Sequence, residues 1–119
     1  MQLKGVPNER RRHRRFTVGV PVRLRAAGST TATMIELRDV SFRGCRIRGL
    51  WNASAPPVNA RVAFGFVLPD RNIALAKGRI VRQIADSQGG GVGMVIEKAN
   101  VAFYEFLITL AENQSSYAA

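Results

Sequence analysis

The sequence predicts an all-β fold, an antiparallel barrel or sandwich of six short strands followed by one C-terminal α-helix. Three observations lead there. Apolar and polar residues alternate with a period of two through a series of short stretches, clusters of Gly, Pro, Asn, Asp and Ser separate those stretches, and only the last segment changes to a helical period. The chain has 119 residues, the size of one domain with one modest core.

The first strand is the clearest. Phe16, Val18, Val20, Val22 and Leu24 alternate with Thr17, Gly19, Pro21, Arg23 and Arg25, which describes a strand with one buried face. Pro21 removes a ladder donor, so this strand is expected at an edge or next to a bulge. "AAGST" (26–30) is a turn, "TATMIELRDV" (31–40) a second strand, "SFRG" (41–44) a tight connection and "CRIRGLW" (45–51) a third strand. A loop with Pro56 and Pro57 follows. "RVAFGFVL" (61–68) alternates through Val62, Phe64, Phe66 and Leu68, and "PDRN" (69–72) closes a turn before "IALAKGRIVRQI" (73–84). Gly78 in the middle of that strand predicts a bend or bulge. "ADSQGG" (85–90) turns into a sixth strand, "GVGMVIE" (91–97). Phe103, Phe106, Leu107 and Leu110 then fall at i, i+3, i+4 and i+7, one face of a helix for which Asn100 is the expected N-cap. The expected division is a basic N-terminal segment over 1–15, the β-structure over 16–98 and the helix over 99–113.

Charge is distributed unevenly. The net charge is +10, with 18 basic and 8 acidic residues. Residues 1–50 hold 12 of the basic and 3 of the acidic side chains, a net of +9, which leaves +1 for the rest. Arginine outnumbers lysine 15 to 3. A guanidinium pairs bidentately with phosphate and stacks on flat rings, which an ammonium does not do, so the bias points to recognition. Arg-favouring codon usage accounts for it equally well. Five arginines fall within "RRRHRR" (10–15). Like charges repel there and few apolar residues precede Phe16, so this segment is expected to be flexible without a ligand.

Enzyme chemistry finds little support. There is one His, His13, and one Cys, Cys45, so one chain cannot assemble a His/Cys metal cluster or an internal disulfide. The carboxylates are scattered, and the closest pair, Glu36 and Asp39, falls on opposite faces of a strand. "GGG" (89–91) leads into a strand, so no helix N-terminus stands behind it to hold a phosphate. No stretch is apolar for long enough to span a membrane as a helix, and no secretory leader is visible. A cytoplasmic protein with no cofactor and no membrane insertion is the expectation.

Two stretches carry recognition chemistry. The Arg run is one. The other is "RDVSFRGC" (38–45), where Asp39 can accept from the N–H edge of a guanine, Ser41 can donate to a phosphate or brace a turn, and Gly44 allows a positive φ or a close approach. Alone, that second stretch reads equally as an Asx/ST turn joining two strands.

Together, Arg10, Arg11 and Arg15 followed by Asp39, Ser41 and Gly44 match the RRxxxR and DxSxxG motifs, and the chain resembles the PilZ family. The likeness extends to "GRIVR" (78–82), "GVGM" (91–94) and the final helix, and so covers nearly the whole chain. A second register, Arg10 with Arg14, also fits the first motif. The resemblance implies a six-stranded antiparallel PilZ-type β-barrel with a C-terminal α-helix. It also implies a non-catalytic receptor for cyclic di-GMP that changes the conformation of its Arg segment on binding and signals to a downstream protein partner. The implied ligand-binding residues are Arg10, Arg11, Arg15, Asp39, Ser41 and Gly44. Arg82 is a further candidate for a stacking or phosphate contact, against the plain reading of a solvated strand-end arginine. A basic barrel that binds nucleic acid is disfavoured, because Phe16, Phe64 and Phe66 lie on the buried phase. A ligand-free protein-interaction module of the same fold is the other alternative.

Overall fold

The structure is a computed structural model that describes residues 15–49, 55–85 and 90–118. Six strands and one helix follow the predicted order: β1 Phe16–Ala26, β2 Thr33–Val40, β3 Gly44–Arg48, β4 Arg61–Val67, β5 Ile73–Gln83, β6 Val92–Ala99 and α1 Val101–Ala118. The strands close into an antiparallel barrel in the order β1-β2-β3-β6-β5-β4. The helix runs past the predicted end at residue 113, because "NQSSYA" contains no Gly or Pro to stop it.

The period of two decides what faces inward. Phe16, Val22, Leu24, Ile35, Leu37, Ile47, Val62, Phe64, Ile80 and Val92 fill the barrel, an apolar lining that gains roughly 25 cal/mol for each Å² removed from water. Cys45 joins that lining, 3% exposed. The helix adds Phe103 and Leu107, both fully buried. The Phe103 ring meets Phe64 edge-on with centroids 6.0 Å apart, and Phe106 meets Phe66 in the same way at 5.0 Å. These geometries suit the ring quadrupoles and fix α1 against the barrel.

Asn100 starts the helix as predicted. Its Oδ1 accepts from Phe103 N at 3.0 Å, the third helical amide, and also from Leu75 N at 3.0 Å. Its Nδ2 donates to Ile73 O at 2.8 Å. One side chain therefore caps α1 and ties it to β5.

Pro21 lies where its missing donor does no harm. β1 pairs with β2 along its length, but with β4 only from Arg23 onward. The β1–β2 register shifts between Thr17 and Val20, the bulge that the proline predicts. Gly78 likewise stands at a register shift between β5 and β6.

Candidate functional site

The hairpin β2–β3 builds the centre of the site. Ser41 N donates to Gly44 O at 2.8 Å, so the strands reverse through Phe42 and Arg43. The Ser41 hydroxyl donates to the same carbonyl at 3.2 Å and accepts from Arg43 N at 3.3 Å and Gly44 N at 3.2 Å. Ser41 is buried, and its hydroxyl is engaged inside the turn. Of the two roles available to it in sequence, the structure shows the brace. Gly44 is not in the left-handed region among the described residues. It is there for proximity: a Cβ would lie 2.8 Å from Met94 O, so the small residue lets β6 approach. The close neighbour is therefore the barrel's own backbone.

The turn also reaches the helix. Phe42 stacks on Tyr104 with centroids 6.2 Å apart and planes within 9°. Displacement of the turn would move an aromatic contact on α1.

Closing the hairpin at Val40–Cys45 places Asp39 opposite Arg46. Val40 and Cys45 face the core, so Asp39 and Arg46 stand on the outer wall. Asp39 is nonetheless only 6% exposed. Two guanidiniums enclose it. Arg15 Nη1 donates to Oδ1 at 3.2 Å, and Arg46 Nη2 lies 2.8 Å from Oδ2. A carboxylate accepts such a pair because each oxygen carries two lone pairs. Arg15, immediately before β1, is already held against the barrel by this contact. Arg10 and Arg11 lie outside the described residues, as does Arg14.

Cys45 is directly beneath on the inner face. Burial first, and the nearby Asp39 carboxylate second, push its thiol well above the usual range, while Arg15 opposes them. It is a packing residue with no thiolate chemistry near neutral pH.

The structure thus brings Arg15, Asp39, Ser41 and Gly44 together at one end of the β2–β3 hairpin. It adds Arg46, which the sequence reading did not select. The signal was present: a turn at 41–44 makes 39 and 46 cross-strand neighbours. No group of three or more His, Cys, Asp or Glu among the described residues is placed to hold a metal ion. Among the same residues, no helix is long and apolar enough to cross a membrane. No curated protein matches the chain. A family model described as PilZ domain matches residues 9–112, a span that takes in the Arg run, the hairpin, all six strands and most of α1.

Proposed function

The chain belongs to the PilZ domain family, and from that premise we propose that it is a cytoplasmic, non-catalytic receptor for cyclic di-GMP. The observation that carries the reading is the buried carboxylate on the outer wall, Asp39, with Arg15 and Arg46 closed over it. A carboxylate kept there is a hydrogen-bond acceptor for the N1–H and N2–H edge of a guanine. Arginine forks are suited to the opposite O6/N7 edge and to phosphate.

Each motif residue then has a role. Arg10, Arg11 and Arg15 supply forks to guanine and phosphate from the N-terminal segment. Asp39 reads a guanine edge. Ser41 and Gly44 set the shape of the turn that presents Asp39. A guanine that takes Asp39 competes with Arg15 for Oδ1, so ligand entry re-aims Arg15 and reorganises the segment that precedes β1. That reorganisation is the signal offered to a downstream protein.

Titration calorimetry with cyclic di-GMP tests this. Stoichiometric binding is expected, and Arg15→Ala and Asp39→Ala should each lose on the order of 1–3 kcal/mol, the value of one good bidentate base contact. A wild-type chain that shows no heat with ligand at tens of micromolar would overturn the reading. Single-stranded DNA is the control for simple basicity. Its binding should be weak and steeply salt-dependent, because Phe16, Phe64 and Phe66 are buried and cannot serve as stacking platforms.

A further inference from the structure

Alternation along β4 turns Arg61, Ala63, Gly65 and Val67 outward. The two in the middle are small, and the neighbouring strands carry longer side chains beside them. Pairing sets two parallel rows across this wall. One runs Met34, Arg23, Gly65, Leu75 over β2, β1, β4 and β5. The other runs Arg25, Ala63, Lys77 over β1, β4 and β5. Cross-strand partners project to the same face, so small residues interrupt both rows and leave a groove of about 790 Å³. Met34 is at the opposite end of β2 from Asp39, and the groove shares no residue with the Arg15–Asp39 site.

The groove is apolar and cationic. Met34, Val67, Ile73 and Leu75 are between 50% and 68% exposed. Monomers rarely gather such side chains in one patch unless the patch meets a partner. Arg23, Arg25 and Lys77 are exposed among them, and none makes an ion pair among the described residues.

The exposed stripe of α1 has the complementary make-up. Val101, Glu105, Ile108 and Glu112 recur at i, i+4, i+7 and i+11, one line along a helix, and all four are exposed. The helix contains no basic residue. Glu105 and Glu112 have no ion-pair partner among the described residues. Large apolar side chains are exposed at eight described positions, of which the groove holds four and the stripe two. The two surfaces therefore account for most of the apolar exposure, and their charges are opposite.

We propose that the two surfaces bind each other between two copies of this chain, the α1 stripe of one protomer lying across β4 of its partner and the reverse. Glu105 and Glu112 are about 10 Å apart along the helix axis. Arg25 and Lys77, two strand spacings apart, are separated by about 10 Å. With the glutamates over that row, Val101 and Ile108 lie over the row from Met34 to Leu75. Helix and groove adjoin in each protomer, because Asn100 at the start of α1 bonds to Ile73 O and Leu75 N. A two-fold axis beside that junction buries both helix–groove pairs at once and closes the assembly as a dimer. Groove on groove is opposed by charge, since it would set Arg23, Arg25 and Lys77 against themselves.

Analytical ultracentrifugation without cyclic di-GMP tests this, with circular dichroism as the check of fold. The wild type should dimerise at concentrations up to hundreds of micromolar. Glu105→Lys/Glu112→Lys and Arg25→Glu/Lys77→Glu should each weaken the dimer by about tenfold or more. Mixed in equal amounts, the two variants should recover it, because each helix then meets a groove of opposite charge. A wild type that stays monomeric over that range overturns the proposal. So does either variant that dimerises as the wild type does, or a mixture of the two folded variants that stays monomeric. The receptor reading is untouched by any of these outcomes.

Discussion

Asp39 is bound more closely by Arg46 than by Arg15, at 2.8 Å against 3.2 Å. The nearer partner is on a strand of the barrel, and the farther one stands just before β1. The carboxylate is thus held on one side by a strand of the barrel and on the other by a residue that belongs to no strand.

The two anchored residues should be energetically coupled. Removing Asp39 leaves the Arg46 guanidinium, 38% exposed, without its counter-charge. Solvent screens much of that loss, so Asp39→Ala should cost about 1–2 kcal/mol of stability rather than the larger penalty of a fully buried pair. In urea denaturation, the Asp39→Ala/Arg46→Ala double variant should lose at least about 0.5 kcal/mol less than the sum of the single losses. Strict additivity would show that the 2.8 Å contact contributes nothing.

The fold was largely legible because alternation and turn chemistry report directly on which face is buried. The strand from Phe16 to Ala26 and the capping of α1 by Asn100 follow from local sequence. Barrel closure does not: it depends on β1 pairing with β4 from Arg23 onward, a contact between residues about forty apart. At the site, Arg15, Asp39, Ser41 and Gly44 announced themselves by spacing. Arg46 did not, although the turn at 41–44 makes it the cross-strand neighbour of Asp39, because an arginine inside a strand carries no motif of its own. Ser41 showed the limit of residue chemistry alone. A hydroxyl free to donate in sequence is engaged by its own turn in the fold.

Gly78, the one glycine of β5, should not tolerate a side chain. A Cβ there would fall within 1.9 Å of Val95 O, a backbone atom that cannot move aside without opening the β5–β6 ladder. Gly78→Ala is expected to lose about 2–3 kcal/mol, as in overpacked cores, or to prevent accumulation of folded protein. Gly19→Ala is the comparison, because its Cβ would meet only the end of the Glu36 side chain at 3.4 Å. Its midpoint in urea should match the wild type within about 0.5 kcal/mol. Equal midpoints for the two variants would remove the steric argument.

Asn100 does two jobs, and substitution can separate them. Asn100→Ala removes the cap on Phe103 N and both ties to β5, and should cost about 1–2 kcal/mol. Asn100→Asp keeps an acceptor for Phe103 N and Leu75 N but turns an oxygen toward Ile73 O, 2.8 Å away in the native contact. It should therefore fall between the wild type and Ala in thermal stability. Full recovery by Asp would mean that the tie to Ile73 carries no weight.

Cys45 provides a pH test of the burial beneath the site. Burial and the Asp39 carboxylate keep its thiol protonated in the folded chain, whereas the unfolded chain ionises near the ordinary value of about 8.5. Below that pH both states hold the proton and stability is unaffected. Above it the unfolded state alone gives up the proton, so stability falls as pH rises. Each unit above the unfolded value costs up to about 1.4 kcal/mol. The difference in unfolding free energy between the wild type and Cys45→Ala should consequently shrink by about 2 kcal/mol from pH 8 to pH 10. Lysine and tyrosine titrations are common to both chains and cancel in that difference. Parallel pH profiles for the two chains would mean that the folded thiol ionises as readily as the unfolded one, and that solvent reaches the inner face beneath Asp39.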